Sequence, residues 1–112
     1  MRACSKLLNE GESAAVSVEK GINAVELDNN DQYFVGLGGY PNSNGVMELD
    51  AAIMDHNCYY GAVMGLKNIK TPISIAKSIM EECPHNILVG DGALKWALEH
   101  NYNFENVLTD SI

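Results

Sequence analysis

The chain has 112 residues, 46% of them hydrophobic and 20% charged, a balance that fits one globular domain or part of one and excludes collagen, coiled coil and disorder. Its net charge is -8, and its seven Lys and Arg are scattered. No basic stripe exists to neutralise phosphates, so a nucleic-acid partner is excluded.

Residues 1–10 contain no apolar stretch long enough for a signal peptide and read instead as the last turns of a helix whose beginning is missing. No apolar run approaches the roughly 20 residues that span a bilayer. Gly11 breaks this segment, and Ser13 is placed to cap a helix running to about Leu27. Ala14, Val18, Ile22 and Val25 form its apolar stripe. Asp28-Asn29-Asn30-Asp31 stops it, since Asx side chains compete for backbone groups. Residues 33–39, Tyr-Phe-Val-Gly-Leu-Gly-Gly, read as a strand entering a tight passage, and residues 41–45 as a turn with an Asn-Gly step.

From Val46 to Asp55 the pattern alternates. Met47, Leu49, Ala51 and Ile53 are expected under helices, with Glu48, Asp50, Ala52 and Met54 on the other face. His56-Asn57-Cys58 then links to a second apolar strand, Tyr59 to Leu66, and the two are expected to pair antiparallel. Thr71-Pro72 is a helix start, Thr as cap and Pro at the first helical position. Ile73, Ala76 and Met80 supply one face, widened by Ile75 and Ile79, and Cys83-Pro84-His85 ends the helix. Ile87-Leu88-Val89-Gly90 reads as a buried strand. Asp91 is placed to cap a last helix from Gly92 to about His100, with Leu94, Trp96 and Ala97 apolar and Trp96 a core anchor. This order predicts a mixed, layered α/β fold.

Candidate chemistry is thin. Glu48, Asp50 and Asp55 lie close enough for paired acid–base work, although structural pairing is the plainer role for carboxylates on a strand. His56, His85 and His100 lack metal-ligand spacing, so no metal or cofactor is assigned. Cys4, Cys58 and Cys83 form no Cys-x-x-Cys pair, disulfide framework or activated-thiol signature. Gly36-x-Gly38-Gly39 lacks the third glycine of a dinucleotide fingerprint. The only threonines are Thr71 and Thr109, and no serine sits in a Gly-x-Ser-x-Gly elbow.

A resemblance carries more. Val35-Gly36-Leu37-Gly38-Gly39-Tyr40-Pro41-Asn42 and Glu48-Leu49-Asp50-Ala51-Ala52-Ile53-Met54-Asp55 resemble the α-subunit core of glycosylasparaginases. So do Gly61-Ala62-Val63, Pro72-Ile73, Ala76-Lys77, Pro84-His85 and Leu88-Val89-Gly90-Asp91-Gly92-Ala93, in matching order. The family resembled is that of the N-terminal-threonine hydrolases, which includes glycosylasparaginase, isoaspartyl peptidase and plant-type asparaginase.

That resemblance implies an α/β fold, part of an αββα sandwich of the N-terminal nucleophile type. Residues 1–112 would be an incomplete N-terminal, α-subunit part of one hydrolase domain. The implied activity is hydrolysis of β-aspartyl amides after self-cleavage before a threonine, which becomes both nucleophile and amine base. The Gly-Gly-x-Pro-Asn segment favours the glycosylasparaginase branch over the isoaspartyl peptidase and asparaginase branch. No catalytic residue is expected in this chain, since it contains no His-Asp-Thr. The implied partners are the missing β-subunit half, a small aspartyl-amide or glycosylasparagine substrate, and further copies of the αβ unit. One position departs from the family pattern: Phe34 stands at a substrate-binding position usually Ser or Asn. That departure leaves open a non-catalytic remnant serving as a binding or scaffolding module. The compartment is left open.

Overall fold

Residue 11, residues 13–27 and residues 45–105 are described by the structure, a computed structural model. The expected helical turns in 1–10, the strand over 33–39 and most of the 41–45 turn lie outside these residues. In chain order the elements are α1 (Ala14–Glu26), β1 (Leu49–Met54), β2 (Tyr60–Leu66), α2 (Pro72–Glu82), β3 (Ile87–Val89) and α3 (Gly90–Glu99). The described chain is thus an α/β arrangement of three helices on one three-stranded sheet, ordered β1-β2-β3.

Gly11 takes a φ of 87°, and Ser13 starts α1 by accepting from the Val16 N–H at 3.2 Å. The start and the end at Leu27 match the sequence reading, but the buried face does not. Ala14 and Val18 are exposed, Ile22 and Val25 are half-buried, and the covered positions are Ser17, Gly21 and Glu26. Ala15 and Ile22 pack on the Ile53, Ile73 and Ala76 cluster. At about 100° per residue, Ser17 lies on nearly the opposite side of the helix from Ala15. Being covered on two sides, α1 does not reveal its buried face through an apolar stripe.

β1 and β2 pair antiparallel, as the alternation predicts. Their register runs from Met54↔Tyr60 to Ala51↔Val63, then slips to Leu49↔Leu66. The slip sets both Met64 and Gly65 opposite Asp50, a bulge in which Gly65 adopts a φ of 63°. Its amide is not orphaned, because Gly65 N–H donates to Asp50 Oδ1 at 2.8 Å. β3 runs parallel to β2, with Ala62↔Ile87 and Met64↔Val89. α2 makes the crossover that a parallel pair requires.

α2 lies across the inward face of the sheet. Its Ile75 and Ile79 join Val63, Leu66, Ile69, Ala93 and Ala97 in the main core, while Ile73 and Ala76 meet Ile53. Met47, Leu49 and Ile53 are buried as expected, and Ala51 is half-buried. Gly61 allows the close approach of α2: a Cβ there would overlap the Ala76 carbonyl oxygen and reach within 2.5 Å of the Met80 nitrogen.

Two expectations fail toward the C-terminal end. β3 is not a buried strand. Only Leu88 turns toward the core, while Ile87 and Val89 are exposed, because a short edge strand has helices on one side only. Nor does Asp91 cap α3. Gly90, with a φ of 54°, turns the chain straight out of β3, so the helix begins there and Asp91 falls within its first turn. There its charge still favours the helix N-terminus.

Candidate functional site

The three carboxylates singled out in the sequence prove to be parts of the hairpin. Asp50 holds the bulge. Asp55 Oδ1 accepts from the amides of Asn57 at 2.8 Å and Tyr59 at 3.1 Å. Its backbone accepts from Cys58 N–H and donates to Tyr59 O. These bonds hold Cys58 at a φ of 67°, which a side chain seldom adopts. Glu48 lies beside Gly65 and is also engaged. No acid–base pair results.

The histidines separate as well. His56 and His85 are exposed. His100 stacks on Trp96 with ring centroids 4.0 Å apart, its Nδ1 lies 2.8 Å from Trp96 O, and its Nε2 lies 3.4 Å from Glu82 Oε2. Trp96 in turn donates from Nε1 to Ser78 Oγ at 2.8 Å, tying α3 to α2. Among the described residues no three His, Cys, Asp or Glu side chains are grouped to hold a metal. Cys58 is exposed and Cys83 half-buried, and Cys83 Sγ accepts from His85 N–H. Phe34, Cys4 and Thr109 lie outside the described residues.

Thr71 is the N-cap of α2, but its side chain makes no capping hydrogen bond. The cap comes from α1 instead: Glu26 Oε2 accepts from Ile73 N–H at 2.9 Å. Asn23 Nδ2 donates to Glu26 Oε1 at 2.9 Å and to Ser74 Oγ at 3.1 Å. Glu26 is only 1% exposed. Burial raises its carboxyl from 4.5 to about 7, against the lowering effect of the bonds from Ile73 and Asn23, and the charge of Glu19 adds to the rise. Sequence reasoning missed Glu26. The apolar stripe carried no signal for it, because Ala14 and Val18 on that stripe are exposed and Glu26 lies beyond its edge.

A groove of about 710 Å³ opens between the start of α1, the hairpin turn and the last turns of α2. Ala15, Val18, Ile53 and Met54 line it, with Ser13 and His56 among its polar groups. Among the described residues that line it, no nucleophile is paired with a base. Thr71 follows Lys70 in the chain, so its nitrogen is an amide and not an amine that could serve as base.

Comparison with known proteins supplies what this geometry does not. The family model described as Asparaginase matches residues 1–111. The chain is 47% identical over 104 residues to an N(4)-(beta-N-acetylglucosaminyl)-L-asparaginase of Elizabethkingia miricola, covering 93% of the chain and 30% of the relative. It is 39% identical over 93 residues to an isoaspartyl peptidase/L-asparaginase of Mus musculus, covering 82% and 28%. A plant-type L-asparaginase of Pyrococcus horikoshii is 38% identical over 106 residues, covering 94% and 34%. The chain spans about 30% of the length of the curated relatives it matches.

Proposed function

The chain belongs to the asparaginase family, and from that membership we propose that it is the N-terminal, α-subunit part of an amidohydrolase cleaving β-aspartyl amide bonds. Within the family, the N(4)-(beta-N-acetylglucosaminyl)-L-asparaginases offer the best parallel, as the relative at 47% identity carries that name. One observation in the fold supports the reading. The outward face of the sheet is apolar and open among the described residues, with Met54 62% exposed, Met64 50% and Val89 61%. A face of this kind calls for another layer. A second sheet packed there, itself backed by helices, would complete the αββα sandwich of an N-terminal nucleophile hydrolase.

On this reading residues 1–112 are an incomplete part of one hydrolase domain, and the remaining β-subunit half is the first partner. That half supplies the threonine nucleophile, whose freed α-amine takes the hydroxyl proton as the oxygen attacks the amide carbon. The substrate is a small aspartyl amide, and the αβ units assemble into a homo-oligomer. Phe34 borders the substrate in place of a small polar side chain.

The test compares the complete protein with residues 1–112 alone, on a glucosaminyl-asparagine, an isoaspartyl dipeptide and L-asparagine. The complete protein should turn over the glycosylated amide fastest. The isolated chain should release no product and keep its mass; turnover or self-cleavage by it would overturn the assignment. In the complete protein Phe34→Ser should raise turnover about tenfold, the worth of roughly one positioned polar contact. Equal kinetics would remove Phe34 from the site.

A further inference from the structure

The first free amide of α2 belongs to Ile73, because Pro72 has none to offer. The amides of Ser74 and Ile75 reach the Thr71 carbonyl, at 3.1 and 3.4 Å. That leaves the Ile73 amide to a carboxylate 47 positions away in sequence, Glu26, on the last turn of α1. A buried carboxylate is ordinarily paired with a cation. Here none of the described residues forms an ion pair with it. Lys70, just before α2, pairs with Glu105 at 3.1 Å, and Lys77, one turn into α2, pairs with Glu81 at 3.0 Å. The charge facing Glu26 from its own helix is Glu19, of like sign, and α2 presents the Ile73 amide, while the Ser74 hydroxyl is bonded to Asn23.

We infer that Glu26 is a proton-sensitive latch holding the end of α1 on the start of α2, firm when the carboxyl is neutral and weakened when it ionises. The surroundings accommodate the neutral form. Its carbonyl oxygen keeps the Ile73 amide, and its O–H finds an acceptor in Asn23, whose side-chain amide can turn its Oδ1 toward it. Ionisation releases the proton to water and leaves a desolvated anion with two donors and, among the described residues, no cation.

The sign follows from the direction of the shift. The folded state holds the proton more tightly than the unfolded chain. The stabilisation is therefore complete below about 4.5 and is lost as pH rises through about 7. The experiment follows thermal unfolding of the full chain from about pH 5 to about pH 9, with Glu26→Gln as the permanently neutral form, and reads the Glu26 carboxyl directly by carbon NMR. The folded-to-unfolded ratio of the native protein should fall roughly a hundredfold relative to the Gln variant across that range, and the carboxyl should titrate near neutrality. Parallel stability curves, or a carboxyl titrating in the ordinary acid range, would overturn the latch. If the Gln variant does not fold, the carboxyl titration of the native chain decides alone. Neither reading depends on catalytic activity, so the latch and the proposed function can fail separately.

Discussion

The two faces of the sheet are made of nearly the same kinds of residue and end in opposite situations. Ile53, Val63 and Leu66 point inward and are sealed by helices, Val63 and Leu66 by α2 and α3 and Ile53 by α2 and α1, while Leu49 is buried beside Met47. Ala52, Met54, Tyr60, Met64, Ile87 and Val89 point outward and are exposed. Apolar character is thus no measure of burial. What decides is whether another element lies opposite, and the helices described here lie on one side only. Among the described residues nothing covers the outward face, which is where the second layer of the proposed sandwich would pack.

The sharpest way to break this contrast is truncation on the sealed side. Ile79→Ala should cost about 2–5 kcal/mol of stability, measured by denaturant unfolding, because α2 cannot collapse onto the void. A loss below about 1 kcal/mol would mean that the inward face is loosely packed. On the open side the same measurement separates chain from complete protein. Met64→Ser should shift the stability of residues 1–112 by no more than about 0.5 kcal/mol. In the complete protein it should cost about 2–3 kcal/mol, since a second layer then buries the position. Equal small effects in both would leave the outward face uncovered and remove the support it lends to a sandwich.

Gly61→Ala tests how closely helix and strand approach. The added methyl meets backbone atoms of α2, which cannot rotate away, so about 1–3 kcal/mol should be lost and the α2 amides should exchange faster. At the bulge, Asp50→Ala removes the acceptor of the Gly65 amide and should cost about 1 kcal/mol, with Asp50→Asn recovering part of it. The smallest effect is expected at the turn. Cys58→Gly relieves a left-handed backbone at a φ of 67° and should raise the unfolding midpoint slightly, by up to about 1 kcal/mol of stability.

Much was legible from the residues alone. Period-two alternation through 46–55 identified the hairpin and its inward side, because a pleated strand offers no other arrangement of side chains. Ser13 and Thr71-Pro72 located two helix starts, since few residue types satisfy or tolerate the free amides there. The family was legible too, through the quoted segments, whereas composition and spacing alone named no reaction.

Tertiary structure decided the rest. That α1 is covered on two sides, that β3 is an exposed edge, and that Asp50 and Asp55 hold a bulge and a turn all depend on what stands opposite each residue. The cap of α2 is the clearest case. Local sequence points to Thr71, yet the hydrogen bond comes from Glu26 on a helix far away in the chain. An amide takes whichever acceptor folding brings within reach, and a one-dimensional pattern carries no record of that distance.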